Sequence, residues 1–183
     1  EYTVSSEIAI PDLLSFFADR LKVHLKEKGV RHGLIDAVFA LGEDDLVLVL
    51  SRVDALGEFL GSDDGANLLV AYKRAANILK IEEKKDAKAY TEKPDLALLE
   101  EADEKALFEK LMDIGPKITA SIAEEKYTEA MIELASARSE IDAFFDNVTV
   151  NADQPELRKN RLNMLSYIRR ALDEVADFSK IEG

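Results

Sequence analysis

Apolar residues recur every three or four positions along almost the whole chain, and that spacing confines it to helices. The clearest run lies near the end. Leu157, Met164, Leu165, Ile168, Ala171, Leu172 and Val175 form a single stripe once wound at 3.6 residues per turn. Pro155 opens this last long helix, where a missing N–H costs nothing. At the other end, Pro11 and Asp12 begin a first helix carrying Leu13, Phe16, Phe17, Leu21 and Leu25, and Gly29 ends it. Gly33 to Leu41 gives a second. Asp44 and Asp45 supply the negative charge that favours the start of a third, which runs to Leu60. Its LVLVL segment (Leu46 to Leu50) has the composition of a strand, but it is embedded between helix signals with no partner strand and reads as helix.

Ser62 caps a fourth helix from about Asp64 to Glu83. Residues 82–94 are rich in Lys, Glu and Asp and read as an exposed connection. Pro94-Asp95 starts a fifth helix that ends near Gly115-Pro116, where a sixth begins. A seventh spans Lys126 to Phe145, and a loop from Asp146 to Gln154 leads into the last. The expectation is an all-α bundle of about seven or eight helices with short connections. Residues 1–183 would make one domain, with 1–81 and 95–183 joined through 82–94.

At 183 residues such a domain can bury a sizeable core. The chain has no Cys, which excludes disulfides and thiolate sites and is consistent with the cytosol. No apolar run approaches the roughly 20 residues of a membrane span, and no signal segment opens the chain. A start at Glu1 is unusual for an intact protein and points to a piece of something longer. The formal net charge of −13 argues against nucleic acid as a partner, because Lys and Arg supply affinity for phosphate. Binding, however, is decided by one face of a protein, so the distribution of charge outweighs its sum.

Two faces run against the acidic trend. On the fourth helix, Leu68, Leu69, Ala71, Tyr72, Ala75, Ala76, Ile78 and Leu79 cover one broad side, while Lys73, Arg74, Asn77 and Lys80 share the other. That polar side is either a solvated helix face or a surface for phosphates and bases, with Asn77 alternatively tying down a neighbouring loop. On the last helix, Arg158 and Arg169 fall on the same edge of the apolar stripe, and Lys159 and Arg170 on the solvent side. Two Arg on one edge can grip successive phosphates or the planes of unstacked bases. Arg161 falls within the apolar stripe and needs a carboxylate partner if buried, with Asp146 the first candidate and Asp142 the second. Adjacent Phe144 and Phe145 cannot both point inward from a regular helix: either both pack across the helix end, which is the preferred reading, or one is core and the other a platform for a base.

Catalytic chemistry is hard to assemble from what remains. His24 and His32 are the only histidines, and Gly29 separates them, so a zinc or calcium site has little support. Carboxylates are spaced as on solvated helix faces. The Gly61 to Gly65 turn lacks the Gly-Lys-Ser/Thr ending of a phosphate loop.

One long segment carries a resemblance. FFDNVTVN (Phe144 to Asn151), PELRKNRL (Pro155 to Leu162) and VADFS (Val175 to Ser179), joined by a short Asp/Pro-containing turn, resemble the C-terminal end of the bacterial glycyl-tRNA synthetase β subunit. YKRAANILK (Tyr72 to Lys80) lies at the spacing that family shows, and the likeness extends over essentially all 183 residues. It implies an all-α anticodon-binding domain akin to the DALR type, from a cytoplasmic α2β2 enzyme that joins glycine to tRNA-Gly with ATP and Mg2+. The adenylate-forming site would belong to the α subunit, so the fragment itself is expected to be non-catalytic and to hold no cofactor. Its partners would be tRNA-Gly, the remainder of the β subunit and the α subunit, and no membrane. Lys73, Arg74, Asn77, Arg158, Asn160 and Arg161 match the family pattern, and helical geometry adds Lys159 and Arg169. The alternatives are the anticodon domain of another synthetase, such as the arginyl enzyme, or an acidic helical module that docks a protein through an apolar patch and binds no RNA.

Overall fold

The computed structural model describes residues 6–182, with side chains from Ser15 onward. Among these residues are eight α-helices, two short 3-10 turns and no strand, so the all-α expectation holds. The helices are α1 (Ser6–Glu27), α2 (His32–Phe39), α3 (Leu46–Gly61), α4 (Asp63–Asp86), α5 (Ala102–Ala123), α6 (Tyr127–Ala135), α7 (Arg138–Asn147) and α8 (Pro155–Asp173). The 3-10 turns lie at Leu96–Leu98 and Phe178–Lys180. No described helix is long and apolar enough to cross a membrane.

Local chemistry sets several boundaries. Gly29 leaves α1 at φ +84°, a conformation that a side chain would disfavour. The Asp45 carboxylate accepts hydrogen bonds from Val47 N (2.8 Å) and Leu48 N (3.3 Å), which commits LVLVL to helix. Ser62 Oγ accepts from Gly65 N at 3.1 Å and starts α4, and Pro155 stands in the first turn of α8.

Five boundaries differ from the expectation. The fifth helix starts at Ala102, behind Glu101 as its cap, whereas Pro94-Asp95 lead only into the 3-10 turn at Leu96–Leu98. Helix α1 begins by Ser6, ahead of Pro11, while the side chain of Leu13 lies outside the described ones. Pro116 is inside α5 and does not end it. Proline removes one backbone hydrogen bond, and the packing of α5 on α6, α7 and α8 offsets that loss. The expected seventh helix is two, α6 and α7, divided at Ser136-Ala137 without a Gly or Pro. Helix α4 continues to Asp86, so the connection begins at Ala87, which takes φ +48°. It is no loose linker either, because Tyr90 and Leu99 are buried within it.

Helices α4 and α8 form the centre, packed antiparallel so that Arg158 meets Glu82 at one end and Arg169 lies beside Tyr72 at the other. Their buried residues, Leu68, Ala75 and Leu79 with Leu165, Ile168 and Leu172, join one core with side chains of α2, α3, α5, α6 and α7. Helix α7 lies against both α4 and α5, so two of its sides are covered. That is why Phe144 and Phe145 are both buried, edge to face with ring centres 5.7 Å apart. Helix α1 is the outlier and packs chiefly on α2.

Candidate nucleic-acid interface

The basic residues of α4 and α8 divide into a bound set and a free set. At one end of the pair, Arg158 is fully engaged within the protein. Its Nη2 donates to Glu82 Oε2 and, at 2.7 Å, to Asp86 Oδ2. Its Nη1 donates to the Tyr90 hydroxyl and its Nε to Asn151 Oδ1, each at 3.3 Å. Tyr90 in turn donates to Asp86 at 2.5 Å, and Asn151 to Glu82 Oε1 at 3.2 Å. The Arg158 guanidinium holds the Glu82 carboxyl below its usual range. The hydrogen bond from Tyr90, and then those from Arg158, do the same to Asp86. Arg158 was expected to be open to phosphates. Instead it clamps the end of α4, the connection after it and the loop before α8.

Asn160 and Arg161 are likewise structural. Asn160 is buried and pairs with the backbone of Asp95, accepting from its N–H at 2.7 Å and donating to its carbonyl at 3.0 Å. Arg161 is buried and paired, but its partner is Glu104, with neither Asp146 nor Asp142 involved. Asp146 is exposed, and Asp142 pairs with Arg138. Glu104 sits in the first turn of α5 with its side chain fully buried. Its Oε2 accepts from the N–H groups of Glu100 and Glu101 at 2.9 Å each, leaving Oε1 for Arg161. A carboxylate already fixed at a helix N-terminus is a better buried counter-ion than one that must be drawn in from solvent. Arg161 Nη1 also donates to the Thr149 carbonyl at 2.8 Å.

Two more expected contacts are partly spent on partners within the chain. Arg74 lies 4.5 Å above the Phe145 ring and donates to the Phe145 carbonyl at 3.3 Å, so the aromatic platform serves a cation of the same chain. Lys159 is paired with Glu92 at 2.6 Å on the surface, an arrangement that costs little to exchange.

The free set is Lys73, Asn77 and Lys80 on α4, joined by Lys84. None makes a side-chain hydrogen bond or ion pair with another described residue. Spaced at i, i+4, i+7 and i+11, they follow one face of the helix. Lys80 and Lys84 border an open cleft of about 700 Å³ between α4 and α8, with Tyr72, Arg169, Asp173 and Asp177 among its other walls. Arg169 is tied there only loosely, its Nε 3.9 Å from Asp173 Oδ2. Burial raises the Asp173 carboxyl above its usual range, with Arg169 opposing, and burial together with Asp173 raises the Tyr72 hydroxyl. Two carboxylates of the cleft are occupied by backbone: Glu83 accepts from Tyr90 N at 3.1 Å and Asp177 from Ser179 N at 3.1 Å. The cations stand at the rim, free to meet an anion, above a wall rich in acceptors. Phosphate contact at the rim and base contact on the wall are what such an arrangement can provide.

Of the expected contacts, the structure thus brings Lys80 and Arg169 to one cleft, sets Lys73 and Asn77 beside it, and gives Arg74, Arg158, Asn160 and Arg161 partners within the chain. Lys84 was missed because residues 82–94 read as a linker. Tyr72 was missed because it belongs to the apolar side of α4. Elsewhere, the Gly61 to Gly65 turn holds no phosphate cradle: a Cβ on Gly65 would stand 2.0 Å from the Phe59 carbonyl, so backbone fills the space. Among the described residues no group of three or more His, Cys, Asp and Glu is placed to hold a metal ion.

Residues 68–182, which include most of α4, all of α8 and everything between, match the DALR anticodon binding domain. Over 174 residues, 94% of its length, the chain is 60% identical to the glycine–tRNA ligase β subunit of Rhodospirillum centenum, covering 24% of that protein. It is 49% identical to the β subunit of a Ruegeria species and 48% identical to that of Phenylobacterium zucineum, covering 94% of itself and 25% and 26% of theirs. The chain therefore spans about a quarter of the length of the curated relatives it matches. With the matched segment taking in more than half of its residues, the chain belongs to the DALR anticodon-binding domain family.

Proposed function

We propose that this chain holds the anticodon arm of tRNA-Gly on the face where α4 meets α8, as part of a glycine–tRNA ligase β subunit. In this reading residues 1–183 act as one binding domain, and the ligation itself is carried out elsewhere in a cytoplasmic α2β2 enzyme. ATP and Mg2+ would be held there, by the α subunit, and no residue of this chain is assigned to them. The carrying observation is the row Lys73, Lys80 and Lys84 with Arg169 opposite. These cations are left without close partners in a chain of net charge −13 that spends its other central cations on internal pairs. Discrimination would come from polar groups of the cleft that are satisfied by the correct bases and left unpaired by wrong ones. Binding energy gained so far from the chemistry can be used to orient the acceptor end.

The test is binding of tRNA-Gly and of an anticodon-swapped tRNA to the chain, at low salt and near physiological salt. Tighter binding of tRNA-Gly, weakened by Lys80→Ala and by Arg169→Ala, is expected. Equal binding of both tRNAs would reduce the face to a non-specific electrostatic surface. Absence of binding at low salt would favour the protein-docking alternative for the isolated chain.

A further inference from the structure

Helix α1 buries one side against the chain and exposes three large apolar side chains elsewhere. Ala18, Leu21, Lys22 and Leu25 follow each other at three and four residues and face the body, with Leu25 buried, Leu21 against the core and Lys22 over the Phe39 ring at 4.7 Å. Phe16 and Val23, seven residues apart, fall on the side opposite Leu25 and are 56% and 51% exposed. Phe17, on the flank, is 47% exposed and meets Phe16 edge to face at 5.8 Å. Scattered surface hydrophobes need no explanation, but Phe16 and Phe17 touch, and Val23 follows Phe16 two turns along the same side, past the exposed Asp19 and Arg20. Arg20 lies 5.9 Å from the Phe16 ring.

We propose that the outer side of α1, centred on Phe16 and Val23, packs against the remainder of the same β-subunit polypeptide and fixes the domain to it. The relatives are about four times as long as this chain, so in them some three quarters of the polypeptide lies outside the matched region. The patch lies on a helix that, among the described residues, packs chiefly on α2. The tRNA face is on α4 and α8, so α1 can be covered while the cleft stays open. This inference rests on the chain being part of a longer subunit and is indifferent to which RNA the cleft binds.

The absence of Cys makes the test direct. Phe16→Cys and, separately, Val23→Cys are introduced into the 183-residue chain and into a cysteine-free full-length β subunit, with Glu109→Cys on the exposed surface of α5 as reference. Thiol labelling is timed without tRNA. Both α1 positions should label about tenfold or more slowly in the full-length subunit, relative to the reference, and at concentration-independent rates in the short chain. Equal relative rates in the two proteins would overturn the proposal. So would slowing in the short chain as its concentration rises, because a second copy would then be the occupant. Two reporters keep the test valid if one substitution disturbs folding.

Discussion

Arg158 and Arg169 occupy the same edge of the same helix, eleven residues apart, and the structure uses them in opposite ways. The difference lies in α4. Opposite Arg158 it presents Glu82 and Asp86, backed by Tyr90, and the guanidinium is consumed. Opposite Arg169, three turns earlier on α4, it presents Tyr72, Ala76 and Lys80, and the guanidinium keeps only a loose contact with Asp173. One end of the helix pair is a clamp and the other an open cleft. A positive charge on a helix edge is therefore a resource whose use is set by the neighbour across the groove, and helical position alone cannot say which it will be.

The largest effect should come from deepening the contrast at the closed end. Glu104→Ala leaves Arg161 buried without a counter-ion and frees two backbone N–H groups, so it should destabilise the fold by about 3–5 kcal/mol in chemical denaturation. Glu104→Gln keeps an acceptor for those N–H groups and should cost less. A smaller loss, about 1.5–3 kcal/mol, is expected for Arg158→Ala, which removes charge-assisted hydrogen bonds from a half-buried network.

Acid should dissolve the same clamp. Glu82 and Asp86 are both held below their usual range, so each favours folding at any pH above its unfolded-state value. That contribution fades as the pH falls through the lowered folded value. It should thus be complete above about pH 5.5 and drain away below about pH 4. The melting temperature of Glu82→Gln should fall short of the parent's at neutral pH, with the gap narrowing in acid. A constant gap would show that the charge of Glu82 is not what matters. The smallest stability effect belongs to the open end, where Lys80→Ala should change stability by no more than about 0.5 kcal/mol. It should instead lower the dependence of tRNA affinity on salt by about one phosphate contact.

What could be read in the sequence were features whose cause is local. Asp45, Ser62 and Pro155 act within one helical turn, and all three mark real helix starts. Arg161 could be recognised as needing a carboxylate from its place in the apolar stripe. Its partner could not, because Glu104 is 57 residues away and the nearby Asp146 points to solvent. Pro116 misled because its local cost is real but is offset by tertiary contacts. Phe144 and Phe145 are both packed, as the preferred reading has it, and what one-sided helix burial does not foresee is that α7 is covered on two sides. Within the candidate site, Lys80 and Arg169 were legible as basic residues on helix edges. Their freedom, and the capture of Arg158, depend on how α4 and α8 align.

The central claim is that alignment divides the cations into structural and RNA-facing sets, and one paired measurement tests it. Thermal stability and tRNA-Gly affinity across a salt series are determined together for Arg158→Ala and Arg169→Ala, with binding measured well below both melting points. The expected result is a crossed one: Arg158→Ala lowers stability and leaves the salt dependence of binding unchanged, while Arg169→Ala leaves stability unchanged and reduces both affinity and salt dependence. If folded Arg158→Ala loses its salt-dependent affinity while Arg169→Ala binds as the parent does, the assignment of the two ends is wrong.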